Sequence, residues 1–305
     1  MESYQKLELY GTLYEANDTD LIQSCIREID FRGESFTTAG MHVMSSDIRR
    51  CNHLTRVCLI NCNLNAELVH ILQSNLEGSC LKLDELDVGY NSDLGPAGWA
   101  EVGLVVTQCQ VKVFKAENCN LTAEGMKAFK ENTGKAKLDE LDVSYNEDLE
   151  PAGWAEVGLV VTQCQVKVFK AWDCNLTAEG MKAFKENTGN AKLDELDVSR
   201  NIDLGPAGLA VVGLVVTQCQ VKVFKAWGCK LTAEGMKLFK ENTLNAKIKL
   251  LDLSRNQVSD FGDEGLTTIS EIVHQCLVET LEMNYCFFNS DQLERFKALI
   301  ADTGV

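Results

Sequence analysis

A segment of 55 residues is written three times in succession, and that repetition restricts the chain to architectures in which one unit stacks on the next. Residues 97–151 and 152–206 are identical at 49 of 55 positions, and a third, more drifted copy begins at Ala207. Asn91, Asn146, Asn201 and Asn256 recur at a constant interval of 55. Each block is itself double. Its first half carries LDELDVGYN (83–91), LDELDVSYN (138–146), LDELDVSRN (193–201) and IKLLDLSRN (248–256). Its second half carries VKVFKAENCNL (111–121), VKVFKAWDCNL (166–176) and VKVFKAWGCKL (221–231). Both halves obey one frame, LxxLxLxx followed by Asn or Cys.

The same frame recovers LTRVCLINCNL (54–64) and VETLEMNYCFF (278–288), and more weakly IREIDFRGESF (26–36), where Glu34 takes the Asn/Cys position. The chain therefore divides into ten repeats, anchored at Glu34, Cys62, Asn91, Cys119, Asn146, Cys174, Asn201, Cys229, Asn256 and Cys286, with steps of 27 to 30 residues. Residues 1–20 read as a degenerate N-terminal cap, 21–288 as repeats and 289–305 as a closing helix. No Pro-rich or Gly/Ser-rich linker interrupts them, so 1–305 is expected to be a single domain.

The LxL piece alternates apolar and exposed residues and predicts a short strand. The Asn or Cys then falls where the chain turns, and its side chain can bond backbone groups that have no ladder partner. A helical stretch follows, with Leu121, Met126 and Phe129 at helical spacing, as are Val102 and Val106. Thr122 and Thr177 stand as N-caps with Gly125 and Gly180 three residues on, so no capping box is expected. One such unit buries a single face and is stable only against its neighbours. Parallel strands stack at about 4.8 Å, closer than helices can. The stack should curve, with strands inside and helices outside: an α/β solenoid of horseshoe type.

Net charge is −16, which argues against nucleic acid or an anionic membrane as the partner. It suits a basic protein partner, or serves solubility alone. The longest apolar stretches, such as 102–106, fall far short of a membrane span, and residues 1–10 do not read as a signal peptide. The 13 cysteines are odd in number and follow the repeat, as reduced, buried thiols of a cytoplasmic chain would. His42, His53, His70 and His274 are scattered, and Cys58 and Cys62 have no second pair nearby, so no metal site is expected. The nearest string to a phosphate loop, NTGKAK (132–137), has Ala136 where Ser or Thr is needed and Phe129 where the first Gly belongs. Neither a catalytic constellation nor a cofactor motif emerges.

The alternation of Asn-type and Cys-type units of about 28 residues resembles the ribonuclease-inhibitor-like class of leucine-rich repeats, over roughly residues 25–290. LDELDVSYN (138–146) and CNLTAEGMKAF (119–129) are also similar to the C-terminal sensor arrays of NOD-like receptors, intracellular immune receptors. The resemblance implies a cytoplasmic, non-enzymatic recognition scaffold. It would bind a protein or peptide ligand, basic or microbial among the candidates, on its concave face, with a role in innate immunity. A GTPase activator resembling the Ran type and a stoichiometric inhibitor of a basic enzyme, such as a ribonuclease, are the competing readings.

Register lays the inner-face residues side by side. Between the strand hydrophobics run Asp87, Lys115, Asp142, Lys170, Asp197, Lys225 and Asp252, an alternation that predicts an exposed, self-neutralising ladder. The next column holds Gly89, Glu117, Ser144, Trp172, Ser199, Trp227 and Ser254, and beside it run Tyr90, Asn118, Tyr145, Asp173, Arg200, Gly228, Arg255 and Tyr285. Trp172 and Trp227 lie two strands apart, about 10 Å by strand spacing, with Ser199 between them. Trp, Tyr and Arg are the types enriched at binding hot spots. The candidate surface is therefore Trp172, Trp227, Tyr145, Arg200, Arg255, Asp173, Glu117, Tyr90 and Tyr285. The alternative is that the indoles lie flat on neighbouring Lys stems. The six positions that differ between the two nearest copies are Glu117/Trp172, Asn118/Asp173, Lys135/Asn190, Tyr145/Arg200, Glu147/Ile202 and Glu150/Gly205. Three fall on the inner face and three in adjoining loops, while helix pairs Glu101/Glu156 and Lys127/Lys182, expected to be exposed, are unchanged.

Overall fold

The three-residue strands are centred on a repeat hydrophobic, and of these Leu86, Phe114, Leu141, Phe169, Leu196, Phe224 and Leu251 are at most 2% exposed. The computed structural model describes residues 26–301 and Thr303. The expected cap over 1–20 lies outside the described residues. The chain divides into two compact units, Met1–Asn146 and Glu147–Val305.

In the first unit the order is β1 (Glu28–Asp30), α1 (Thr38–Arg50), β2 (Arg56–Cys58), α2 (Ala66–Leu76), β3 (Glu85–Asp87), α3 (Gly95–Gln108), β4 (Val113–Lys115), α4 (Ala123–Asn132) and β5 (Glu140–Asp142). In the second it is α5 (Glu150–Gln163), β6 (Val168–Lys170), α6 (Ala178–Asn187), β7 (Glu195–Asp197), α7 (Gly205–Cys219), β8 (Val223–Lys225), α8 (Ala233–Asn242), β9 (Leu250–Asp252), α9 (Val258–Gln275), β10 (Thr280–Glu282) and α10 (Ser290–Ile300). Within each unit, sequential strands pair in parallel and in the register of the repeat, Leu86 beside Phe114 and Leu196 beside Phe224. Ten parallel strands thus alternate with ten helices among the described residues, the leucine-rich-repeat arrangement.

Phenylalanine joins strand to helix. Phe114 stacks on Phe129 at 5.1 Å, Phe169 on Phe184 at 5.1 Å and Phe224 on Phe239 at 5.2 Å, with interplanar angles of 12° to 15°. Each buried ring contributes about 1.5–3 kcal/mol. Within each 55-residue copy the two helices approach backbone to backbone. A Cβ on Gly103 would stand 2.7 Å from the Phe129 carbonyl oxygen, and Gly158 and Gly213 repeat the contact against Phe184 and Phe239. Real Cβ atoms do not come so close, so glycine sets the spacing.

The turn after each Asn-type strand is held by one side chain. The Asn201 Oδ1 accepts from the backbone N–H of Cys174 and of Leu176, both at 2.9 Å. Its Nδ2 donates to the carbonyls of Ala171, Val198 and Ser199. Asn91 and Asn146 make the same five bonds in the first unit. Each amide therefore fastens its own turn to the preceding repeat. The Cys-type turns do this with a thiol: Cys62 donates to the Phe31 carbonyl, Cys119 to Val88, Cys229 to Val198 and Cys286 to Leu253. Burial pushes the Cys62, Cys109, Cys119 and Cys229 thiols up to about 12, so they stay protonated and unreactive.

Thr122, Thr177 and Thr232 cap their helices through bonds from Gly125, Gly180 and Gly235. A capping box appears at the closing helix α10, where Asn289 and Gln292 bond reciprocally.

Candidate recognition surface

Beyond each strand, two residues before the Asn or Cys anchor, lies the column that carries the tryptophans. The next residue sits in left-handed backbone in every repeat, with φ between 50° and 80°: Gly33, Asn61, Tyr90, Asn118, Tyr145, Asp173, Arg200, Gly228, Arg255 and Tyr285. Glycine adopts this conformation freely and asparagine with little penalty, whereas a side chain such as Tyr or Arg costs on the order of 1–2 kcal/mol. Five repeats nonetheless place Tyr or Arg there. The turn geometry does not call for those residues, so the strain points to a use for the side chain rather than for the backbone.

In the unit Glu147–Val305 six of the nine candidate residues come together. The Trp172 and Trp227 rings lie 6.0 Å apart at 42°, much closer than the expected 10 Å. Ser199 is wholly buried between their strands and its Oγ accepts from the Trp227 backbone N–H, so the small residue leaves room for the indoles to lean together. Both indoles are half-buried rather than exposed. The Arg200 Nε donates to the Asp173 Oδ2 at 2.8 Å, and its guanidinium carbon lies 5.8 Å from the Trp227 ring centroid. Arg255 stands 5.4 Å from Trp227 and 5.5 Å from Tyr285. Each such contact is worth about 0.5–1 kcal/mol at an accessible site. Both arginine guanidinium groups thus lie against the Trp227 ring. A cavity of about 280 Å3 opens beside them, lined by Asp173, Asn175, Arg200, Ile202, Trp227, Gly228 and Arg255.

Tyr90, Glu117 and Tyr145 belong to the unit Met1–Asn146. Tyr90 is exposed, and Glu117 and Tyr145 are half-buried. Burial, then the Asp142 and Asp87 carboxylates, push the Glu117 carboxyl up to about 7 against the pull of Lys115.

The charge ladder is built differently from the expectation. Asp87, Asp142, Asp197 and Asp252 are buried. Each turns back on its own turn, accepting from the backbone N–H of Gly89, Ser144, Ser199 or Ser254. Lys115 reaches instead to Glu85 at 2.9 Å, and Lys225 to Glu195 at 2.7 Å. An aspartate two residues before an N–H can close that short loop locally, whereas Glu has the reach to meet a lysine on the next strand. Ser144, Ser199 and Ser254 are buried at the same turn. Of the unchanged helix pairs, Lys127 and Lys182 are exposed, but Glu101 and Glu156 are half-buried, Glu101 facing His70 at 3.1 Å.

Sequence reasoning overlooked Ile202 and Asn175 as neighbours of the cluster. Ile202 was legible, since it is an exposed apolar residue where the preceding copy has Glu147. Grooves between helix ends and strand starts, at Thr107, Lys112 and Lys135–Lys137 and again at Thr217, Lys222 and Asn245–Lys247, recur with the repeat and follow from its geometry. Among the described residues no group of three or more His, Cys, Asp or Glu is placed to hold a metal ion.

No family model matches the chain. It is 32% identical to the ribonuclease inhibitor of Mus musculus over 76% of its length, and 30% identical to that of Sus scrofa over 86%. With alternating Asn and Cys turns and close-packed helix pairs already in view, that similarity decides the class. The chain is a ribonuclease-inhibitor-like leucine-rich-repeat protein. The ribonuclease-inhibitor-like chain spans about half the length of the curated relatives it matches, 52% and 58% of the two. It is also 25% identical, over 90% of its length, to a NACHT, LRR and PYD domains-containing protein 3 of Bos taurus, of which it covers 27%.

Proposed function

We propose that residues 1–305 form one non-enzymatic recognition domain that binds a protein or peptide on the strand side of Glu147–Val305. We place it in a cytoplasmic sensor array of the NOD-like-receptor type. The observation that carries the reading is the Trp172–Trp227 pair framed by Arg200, Arg255 and Tyr285, with three of those five residues held in left-handed backbone. Strained, aromatic and arginine-rich, it has the composition of a binding hot spot. The similarity to the bovine NACHT protein supports the sensor assignment. No helix among the described residues is long and apolar enough to cross a membrane.

The test is retention of a partner from cytosol and from microbial extract by the parent chain and by a folded Trp172→Ala/Trp227→Ala variant. A partner held by the parent and lost by the variant supports the reading. A partner held equally by both removes recognition from this face. A second reading, a stoichiometric inhibitor of a basic ribonuclease, draws on the two relatives that carry that name and on the net charge of −16. It predicts that one equivalent of the chain abolishes ribonuclease turnover.

A further inference from the structure

Two arginines occupy the same turn position one 55-residue copy apart, and they differ in whether a carboxylate meets them. Arg200 meets the Asp173 carboxylate on the preceding repeat. The residue that corresponds to Asp173 one copy later is Gly228, so Arg255 has no carboxylate to meet. Its backbone N–H donates to the Asn284 carbonyl, but among the described residues its guanidinium makes no ion pair and no hydrogen bond. It is held only by the faces of Trp227 and Tyr285, contacts that leave the edge N–H groups of a guanidinium unspent. The guanidinium is thus fixed in place, exposed, and short of the acceptor that its twin possesses. Arg200, Trp227 and exposed Ile202 line the same cavity of about 280 Å3.

We propose that Arg255 is an anion-reading site: it takes a carboxylate side chain of the bound peptide or protein, in the place that Asp173 fills for Arg200, with an apolar neighbour of that residue resting on Ile202 and Trp227. The inference rests on the reading of this face as the recognition surface and adds the chemistry of what it recognises. A bidentate carboxylate satisfies an arginine fork that is already oriented, so little ordering cost remains. The net charge of −16 had suggested a basic partner, but the charged residues that line this cavity are two arginines, Arg200 and Arg255, and one aspartate, Asp173. Short-range geometry sets the preference here.

The test uses the full chain, labelled to observe arginine Nε–H resonances, and the blocked peptide Ac-Leu-Asp-Leu-Glu-NH2. Its amide isostere Ac-Leu-Asn-Leu-Gln-NH2 and inorganic phosphate form the other two arms. We expect saturable movement of the Arg255 signal with the acidic peptide, at an affinity at least fivefold above that of either control. Gly228→Asp supplies the missing carboxylate within the chain. A Cβ there meets only the Arg200 Cγ, at 3.6 Å, and Asp173 already occupies the same backbone region at φ 56°. Gly228→Asp should weaken acidic-peptide binding at least fivefold while leaving the circular-dichroism spectrum unchanged. Arg255→Gln should do the same, and it decides the matter if Gly228→Asp fails to fold. Equal binding of the amide peptide or of phosphate, no binding of the acidic peptide, or undiminished binding by the variants would each overturn the proposal. Loss of a captured partner by Trp172→Ala/Trp227→Ala, with none by Gly228→Asp, would leave the recognition face standing and remove only its anion preference.

Discussion

Replacing Asn201 with alanine removes the most connected side chain of its repeat. Five hydrogen bonds disappear, and the residue is fully buried. The backbone N–H groups of Cys174 and Leu176 lose the Oδ1 that accepts from both. An unmet buried donor costs about 1–3 kcal/mol, so the pair alone predicts a loss of about 2–6 kcal/mol. That is a large fraction of the ~5–15 kcal/mol that stabilises a typical domain. Urea unfolding of the parent and the variant measures it, and amide hydrogen exchange at Cys174 and Leu176 localises it. Lys182→Ala is the control: that side chain is exposed on α6 and the change should alter stability by less than about 0.5 kcal/mol. Asn201→Asp separates the two halves of the amide. It keeps the acceptor but points a carboxylate at three carbonyl oxygens, and should be at least as damaging as alanine. A loss below about 1 kcal/mol for Asn201→Ala, set against the ~2 kcal/mol floor, would refute this account of the turn. Unchanged protection of the two amides would do so as well.

Glu150 sits at φ 49° where the flanking copies have Gly95 and Gly205 at 55° and 56°, so Glu150→Gly should raise stability by about 1 kcal/mol in the same urea assay. Gly180→Ala would set a methyl 2.7 Å from the Trp154 ring, and a destabilisation of about 1–3 kcal/mol is expected, read as a lowered thermal midpoint. The folded-state pKa of Glu117, raised to about 7, lies above the ordinary carboxylate value. The native state therefore holds its proton more tightly than the unfolded chain, and stability falls as pH rises from about 4.3 through 7 and levels off above. Glu117→Gln should flatten that decline in urea midpoints measured across the window, and a slope identical to the parent's would count against the buried acidic cluster.

The repeat frame, the strand positions and the Thr caps were legible because each follows from spacing alone: period two for the strand, a polar residue at each bend, and threonine before the helix. The site was legible as a set of columns, since register puts Trp172 and Trp227 on one face. Their approach to 6.0 Å was not, because it depends on what Ser199 leaves empty. The aspartates were misread for a related reason. Charge alternation in sequence cannot say whether Asp197 faces Lys225 or the N–H of Ser199 two residues away, and the shorter loop wins. The left-handed column was equally hidden. Tyr and Arg disfavour that conformation, and only the geometry of the turn imposes it.

The glycine contacts between paired helices bear on how such a chain can change length. Gly103 touches the helix of the next half-repeat, and so do Gly158 and Gly213, but the Cys-type helices carry no glycine at the corresponding place. Asn-type and Cys-type halves are therefore not interchangeable parts: each has a tight side made for the other. Adding or removing a single half would bring two like faces together and leave one seam without its glycine. Adding a whole block of 55 residues imports a finished seam. The near-identity of residues 97–151 and 152–206 has the form of such an event, and the six positions that have since parted lie off that seam.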